Sequence, residues 1–390
     1  MNQQNKRSSP LSRFFQNSFR ILFKALLLLP IPLFMVWFNF TVDRSGYFQG
    51  DQFEREVADA LLAGQDLSNY EKMDERQILR LYVQNLPEDR IPDTIALGSS
   101  RILQMDAQIS GAESFFNAGM IGADVRDVMS SLYLFAREGK LPRNVIVGID
   151  PWIFSPCSEA LDIRADDDLY QEFLSEALGR TSDYEAPDQV ELWKVVTDPA
   201  YFQGNVTYYF KDKSDDAHPT VVTGDEIYHQ DTEVKRSDGS VLYTEEYRAW
   251  THDQIEALAL EQGGTALRLN DFPQIPDDKA QLFDAFIQYG RQQGVNFVFV
   301  LVPYHPLAYY VIQQNHAACQ CYTGFFQVEP WLRDYAQQQG IPLYGSYNAQ
   351  ALGLVGDDFY DGLHCRGTGI AKFFPGMDAV LAQQSGAQLA

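Results

Sequence analysis

"DTIALGSSRI", residues 93–102, decides how the chain reads. Thr94 to Leu97 form a short apolar run without polar alternation, the pattern of a strand buried on both faces, and Gly98-Ser99-Ser100 closes it with a turn. The texture repeats. "FFNAG" (115–119) precedes "ADVRDVMSSLYLFAREG" (123–139), which has helical spacing, and "NVIVGID" (144–150) is β-branched and bounded by Asp-Pro. Farther on, the amphipathic "QLFDAFIQYGRQQG" leads into "VNFVFVLVP" (295–303), and "EPWLRDYAQQQG" leads into "IPLYG" (341–345). A final helix follows Gly367. Strands that alternate with helices predict an α/β fold, three layers with a mainly parallel sheet.

The flanks differ from this centre. Before residue 43 there is no Asp or Glu, but there are Lys6, Arg7, Arg13, Arg20 and Lys24. "ILFKALLLLPIPLFMVWFNF" (21–40) is long enough to cross a bilayer as a helix, with Trp37 toward its far end. A cleaved signal peptide is the competing reading. The run is long for that, and no small-x-small cleavage site follows it. The basic side predicts a cytoplasmic N-terminus (1–20), a single-pass anchor in the cytoplasmic membrane (21–42) and an extracytoplasmic remainder. Residues 43–90 read as a helical stalk with "DERQILRLYVQNL" as its clearest amphipathic piece. Residues 91–155 and 276–390 form the main domain. Residues 156–275, rich in Asp, Glu and Tyr, form an insertion.

The formal net charge of −23, from 53 acidic and 30 basic side chains, excludes a nucleic-acid phosphate partner. Four cysteines, Cys157, Cys319, Cys321 and Cys365, suit disulfides in an oxidising compartment, and three pairings are possible. A zinc site from Cys319, Cys321 and His316 is disfavoured, because Cys-x-Cys lacks the usual spacing. No metal or other cofactor is expected.

Ligands of an open parallel sheet gather at the carboxyl ends of its strands. There the sequence sets Gly98, Ser99, Ser100 and Arg101 after the first strand, then Asn117, Gly119 and Gly122. Asp150 follows the third strand, and Tyr304 and His305 follow the fourth. The loop "DDFYDGLHCRGTG" (357–369) adds Asp361 and His364. A serine hydroxyl becomes a nucleophile when an imidazole takes its proton, and a carboxylate three residues earlier can hold that imidazole. Glycine-loop and helix-start amides supply an oxyanion site. Taken singly, the serines also read as helix caps, Asp361 and His364 as a surface turn, and His305 in "PYHP" as a pocket-wall or structural residue.

Together and in this order, these residues resemble the blocks of the SGNH/GDSL hydrolase superfamily. "GSS" (98–100) is similar to its nucleophile block Gly-Asp-Ser, which implies Ser100 as nucleophile. "NAGMIGAD" (117–124) is similar to the second block and implies the Gly122 amide in the oxyanion hole. "FYDGLH" (359–364) resembles the closing Asp-x-x-His block and implies Asp361 and His364. The resemblance implies an SGNH/flavodoxin-like fold over about 90–155 and 280–385. The third block departs: "GIDPW" (148–152) places Asp150 where the family has an oxyanion-donating Asn, and an ionised carboxylate cannot donate. The missing donor is then absent, supplied by Arg101 or the insertion, or Asp150 does another job.

The anchor, the Gly-Ser-Ser and the insertion look most like membrane-tethered O-acyl transfer proteins, such as the D-alanyl-transfer proteins of teichoic acid and the acetyltransferases of alginate and cellulose. That implies a Ser100 acyl-enzyme, a cell-envelope glycan or acyl ester as substrate, and a membrane-bound O-acyltransferase as partner. A non-catalytic glycan-binding or assembly subunit and a lipase-like esterase are the alternatives. The insertion's Tyr208, Tyr209, Tyr243, Tyr247 and Trp250 would stack on sugar or pack a small core of their own.

Overall fold

The computed structural model describes residues 24, 28–42, 52–70, 74–155, 167–180, 192–207, 209–210, 219–265, 272–319 and 322–389. The chain divides into two compact units, Met1–Gln52 with Glu185–Ala217, and Phe53–Tyr184 with His218–Ala390.

In the larger unit the strands are, in chain order, β1 (Asp66–Ser68), β2 (Thr94–Leu97), β3 (Phe115–Asn117), β4 (Asn144–Gly148), β5 (Thr220–Val222), β6 (Val234–Lys235), β7 (Val241–Leu242), β8 (Asn296–Leu301) and β9 (Leu343–Gly345). Five of them form one sheet in the order β3-β2-β4-β8-β9, and every pairing is parallel. These are the five runs the sequence picks out. The chain runs outward from β2 to β3 and then returns past β2 to β4. The order therefore reverses between β2 and β4, and a crevice opens there at the strands' carboxyl ends.

Alternation along each strand sorts side chains onto two cores. Ile95, Leu97, Val145, Val147, Phe297, Phe299 and Leu301 face one. Ala96, Ile146, Val298 and Val300 face the other, with Ile102, Phe359, Cys365, Ile370 and Val380. Both faces are covered, so the strands carry unbroken apolar runs.

The first core includes Val57, Leu61, Ile78, Leu79 and Val83 from helices Gln52–Leu62 and Glu75–Asn85. From residue 53 the expected stalk is thus part of the domain, because its apolar stripe has the sheet's helices to pack on. Helix Val125–Arg137 starts on a capping box from Asp124 and Asp127. Asp127 also receives Arg76 through two hydrogen bonds of 2.7 Å, and both side chains are buried. Part of the expected insertion joins this unit. β5, β6 and β7 build a small antiparallel sheet with β1 in the order β5-β1-β6-β7, and helix His252–Thr265 follows.

The smaller unit packs helix Pro30–Val42 against helices Leu192–Val196 and Pro199–Thr207. Phe38 meets Phe202 and Tyr209 edge-on at 5.4 and 5.6 Å. Among the described residues no helix is long and apolar enough to cross a membrane. Residues 21–23 and 25–27 of the expected span lie outside the described set.

Arg76→Met would leave the Asp127 carboxylate buried without its counter-charge. The expected loss is about 3–5 kcal/mol of unfolding free energy, read from urea denaturation of the full-length chain.

Candidate active site

Ser100 opens a single 3-10 turn, Ser100–Ile102, just past β2 at the reversal point. Gly98 brings the backbone there with φ +148°, and a Cβ on it would meet the Gly148 carbonyl oxygen at 2.7 Å. Only glycine allows β2 and β4 to lie this close before the turn. The neighbouring serines face different partners. The Ser99 side chain accepts from the Arg101 amide at 3.2 Å, and its nearness helps hold the buried Asp150 carboxyl down. Ser99 Oγ makes no hydrogen bond to His364 among the described residues. Ser100 Oγ instead lies 3.0 Å from His364 Nε2.

His364 Nδ1 is 2.9 Å from Asp361 Oδ2. With the proton on Nδ1, Nε2 is free to accept from Ser100. The other Asp361 oxygen takes the backbone amides of Leu363 and His364, each at 2.7 Å, which closes the Asp-x-x-His turn on itself. Burial alone would raise the Asp361 carboxyl. His364, the Tyr247 hydroxyl and the Leu363 amide instead hold it well below the usual carboxylate range. The Ser100 backbone N–H has no acceptor among the described residues, so one amide is available beside the hydroxyl.

Two more contacts to this relay come from residues 244–265. The Tyr247 hydroxyl donates to Asp361 Oδ2 at 2.6 Å, and Gln262 Nε2 reaches the same oxygen at 3.2 Å. Gln262 Oε1 accepts from the Gly362 amide at 2.7 Å. Burial and the Asp361 charge push the Tyr247 phenol far up, which keeps it a donor. Tyr243 stands edge-on to the His364 ring at 5.8 Å, and Trp250 packs on Tyr247 at 4.7 Å. Gln262 carried no sequence signal. Tyr247 stood among the insertion's aromatics, but nothing near it in the sequence pointed to a carboxylate.

Arg101 is buried beneath the turn at 2% exposure. Its Nη1 is 2.9 Å from Asp150 Oδ1, its Nε donates to the Leu363 carbonyl at 3.0 Å and its Nη2 donates to the Val302 carbonyl. The guanidinium lies 3.9 Å from the centre of the Tyr304 ring. Burial pushes the Asp150 carboxyl up, against the opposing pull of Arg101. Neither residue takes the oxyanion role left open by the third block: Asp150 accepts, and Arg101 spends its fork on Asp150 and two carbonyls.

Asn117, Tyr304 and His305 are buried within the fold. Asn117 is fully buried, donates to the Ile102 and Met105 carbonyls at 2.9 Å and accepts from the Gly119 amide at 3.0 Å. It clamps the Ser100 turn and has no group left for a ligand. His305 caps helix Pro306–Cys319, accepting the Leu307 amide on Nδ1 at 3.1 Å. Its Nε2 is buried without a partner, and burial lowers its pKa. Tyr304 is buried against Arg101. Gly122 turns the chain after β3 with φ +70°.

The cysteines also need correction. Cys319 is in a disulfide, but Cys365 is a free, buried thiol in the second core. A full pairing of four does not form: Cys365 is free and buried in the second core, with its Sγ 3.5 Å from the Asp358 carbonyl. Cys157 and Cys321 lie outside the described residues, and a disulfide-bonded Cys319 offers no thiolate to zinc. A cleft of about 580 Å³ in the same unit is lined by Gln104, Arg236, Tyr360, Arg366 and Gly367 among others, and not by Ser100, Asp361 or His364.

No protein-family model, curated protein or solved structure matches this chain.

Because the folded-state value of Asp361 is depressed, its ionised form adds stability above the unfolded carboxyl pKa of about 3.9. That contribution fades as pH falls toward the folded value. The Tm advantage of the wild type over Asp361→Asn is therefore expected to stay level from neutral pH down to about 5 and to shrink below 4. Thermal melts of both proteins across that range measure it.

Proposed function

We propose that the chain is a membrane-anchored, extracytoplasmic serine acyltransferase or esterase of SGNH type that acts on a cell-envelope glycan through a Ser100 acyl-enzyme. The observation that carries this reading is the continuous relay Ser100–His364–Asp361, with distances of 3.0 and 2.9 Å, at the crevice where the sheet order reverses.

In the proposed reaction Ser100 Oγ attacks the acyl ester carbonyl, and its proton passes to His364 Nε2. Asp361 stays ionised and stabilises the imidazolium. The tetrahedral oxyanion develops beside the Ser100 amide. Collapse breaks the ester bond, and His364 returns the proton to the departing alkoxide. A glycan hydroxyl then attacks the acyl-serine and gives its proton to His364, which restores it to Ser100 as the new ester leaves. Water in place of the hydroxyl gives the esterase outcome.

The basic N-terminus and the apolar run of 21–40 support the anchor and the extracytoplasmic location. A membrane-bound O-acyltransferase is the partner that would deliver the acyl group. The non-catalytic alternative draws its support from Asp150, which leaves the oxyanion site one side-chain donor short of the family pattern.

Fluorophosphonate treatment followed by intact-mass analysis tests the reading. One adduct is expected on the wild type and on Ser99→Ala, and none on Ser100→Ala or His364→Ala. An unlabelled, folded wild type would favour the non-catalytic subunit. Tyr247→Phe removes one charge-assisted hydrogen bond from Asp361 and is expected to slow labelling about tenfold while leaving Ser100 as its site.

A further inference from the structure

Among the described residues of the smaller unit, two asparagines are buried while several large apolar side chains are exposed beside polar ones such as Asp198 and Gln203. Asn39 and Asn205 are both 0% exposed, whereas Ile31, Trp193 and Phe210 are 67%, 63% and 77% exposed. Leu28, Leu33, Trp37 and Phe40 are also more than half exposed. In water that arrangement exposes apolar surface and hides the groups water would satisfy. Where hydrocarbon is the solvent it is the stable one, with polar groups paired between segments and apolar side chains outward.

The polar contacts fit the same environment. The chain breaks between helices Leu192–Val196 and Pro199–Thr207, where Pro199 has no amide to donate. The Ala200 amide turns to the Asp198 side chain at 2.9 Å, which leaves the Val196 carbonyl unmatched within the helix. Asn39 Nδ2, on helix Pro30–Val42, donates to that carbonyl at 2.9 Å and to the Asp198 carbonyl at 3.3 Å. Asn205 Nδ2 in turn donates to Asn39 Oδ1 at 3.1 Å. Irregular backbone at membrane depth requires satisfaction from a neighbouring segment of this kind. Helix Pro30–Val42 is 13 residues, about 20 Å long, and alone falls short of a hydrocarbon core of roughly 30 Å. Lys194 lies over the Trp193 ring at 5.6 Å, an aromatic and basic pair suited to the boundary between headgroups and acyl chains.

We infer that residues 192–207, with Tyr209 and Phe210, form a second membrane-embedded element, a broken helix held against helix Pro30–Val42 by the Asn39–Asn205 pair, with Trp193 and Phe210 in contact with lipid acyl chains. The inference rests on the anchor proposed above. It assigns Trp193, Tyr209 and Phe210 to the bilayer, and so removes Tyr209 from any sugar-stacking set.

The test uses the full-length chain reconstituted into phosphatidylcholine–phosphatidylglycerol vesicles, with and without brominated acyl chains, which quench tryptophan on contact. Subtracting the Trp193→Phe spectrum from the wild type isolates Trp193, and Trp37→Phe isolates Trp37 in the same way. Loss of most of the emission from both residues is the expected result. Quenching of Trp37 with Trp193 unquenched would overturn this inference while leaving the anchor in place, as when a partner protein covers that face instead of lipid. If neither is quenched, the membrane reading beneath it fails.

Discussion

The guanidinium of Arg101 sits where three strand ends and the histidine loop converge. It takes the Asp150 carboxylate beyond β4, the Val302 carbonyl beyond β8 and the Leu363 carbonyl beside His364, and it lies flat on Tyr304. A buried charge of this kind is tolerated only when its donors are met, and the geometry that meets them also fixes how the loops stand to one another. Ser100 is the residue before it and His364 the residue after Leu363. The 3.0 Å between Oγ and Nε2 is in this sense a consequence of where Arg101 is pinned.

The second constraint is carried by residues distant in sequence. Asp361 would be an isolated buried carboxylate without His364. Tyr247 and Gln262 also hold the same oxygen, and Gln262 further grips the Gly362 amide. The loop is thus clamped from the sheet side by Arg101 and from the other side by residues 244–265. The relay geometry requires both clamps, so this part of the apparent insertion belongs to the site as much as the strands do.

What could be read from the sequence follows from the range of each interaction. TIAL, NVIVG and NFVFVL are legible as strands because burial on both faces erases alternation, and the order of their loops predicts which side chains meet. Asp361 and His364 are legible because their contact is three residues long. Tyr247 and Gln262 are not, since their partner lies 114 and 99 positions away. The cysteine count misleads for a related reason: parity says nothing of whether a thiol such as Cys365 has space beside it. Asn117 and His305 carry the right chemistry for a site, but the backbone takes the Asn117 amide and the His305 Nδ1, and local sequence does not show this.

Ser99 and Asp150 both hold Arg101, Ser99 through its amide and Asp150 through its guanidinium. An aspartate at 99 would set a second carboxylate against Asp150, and two buried anions at that distance repel strongly. A hydroxyl at 99 adds no charge, which leaves the Asp150 carboxylate to meet Arg101. An uncharged residue at 99 is thus what the buried Arg101–Asp150 ion pair tolerates beside it.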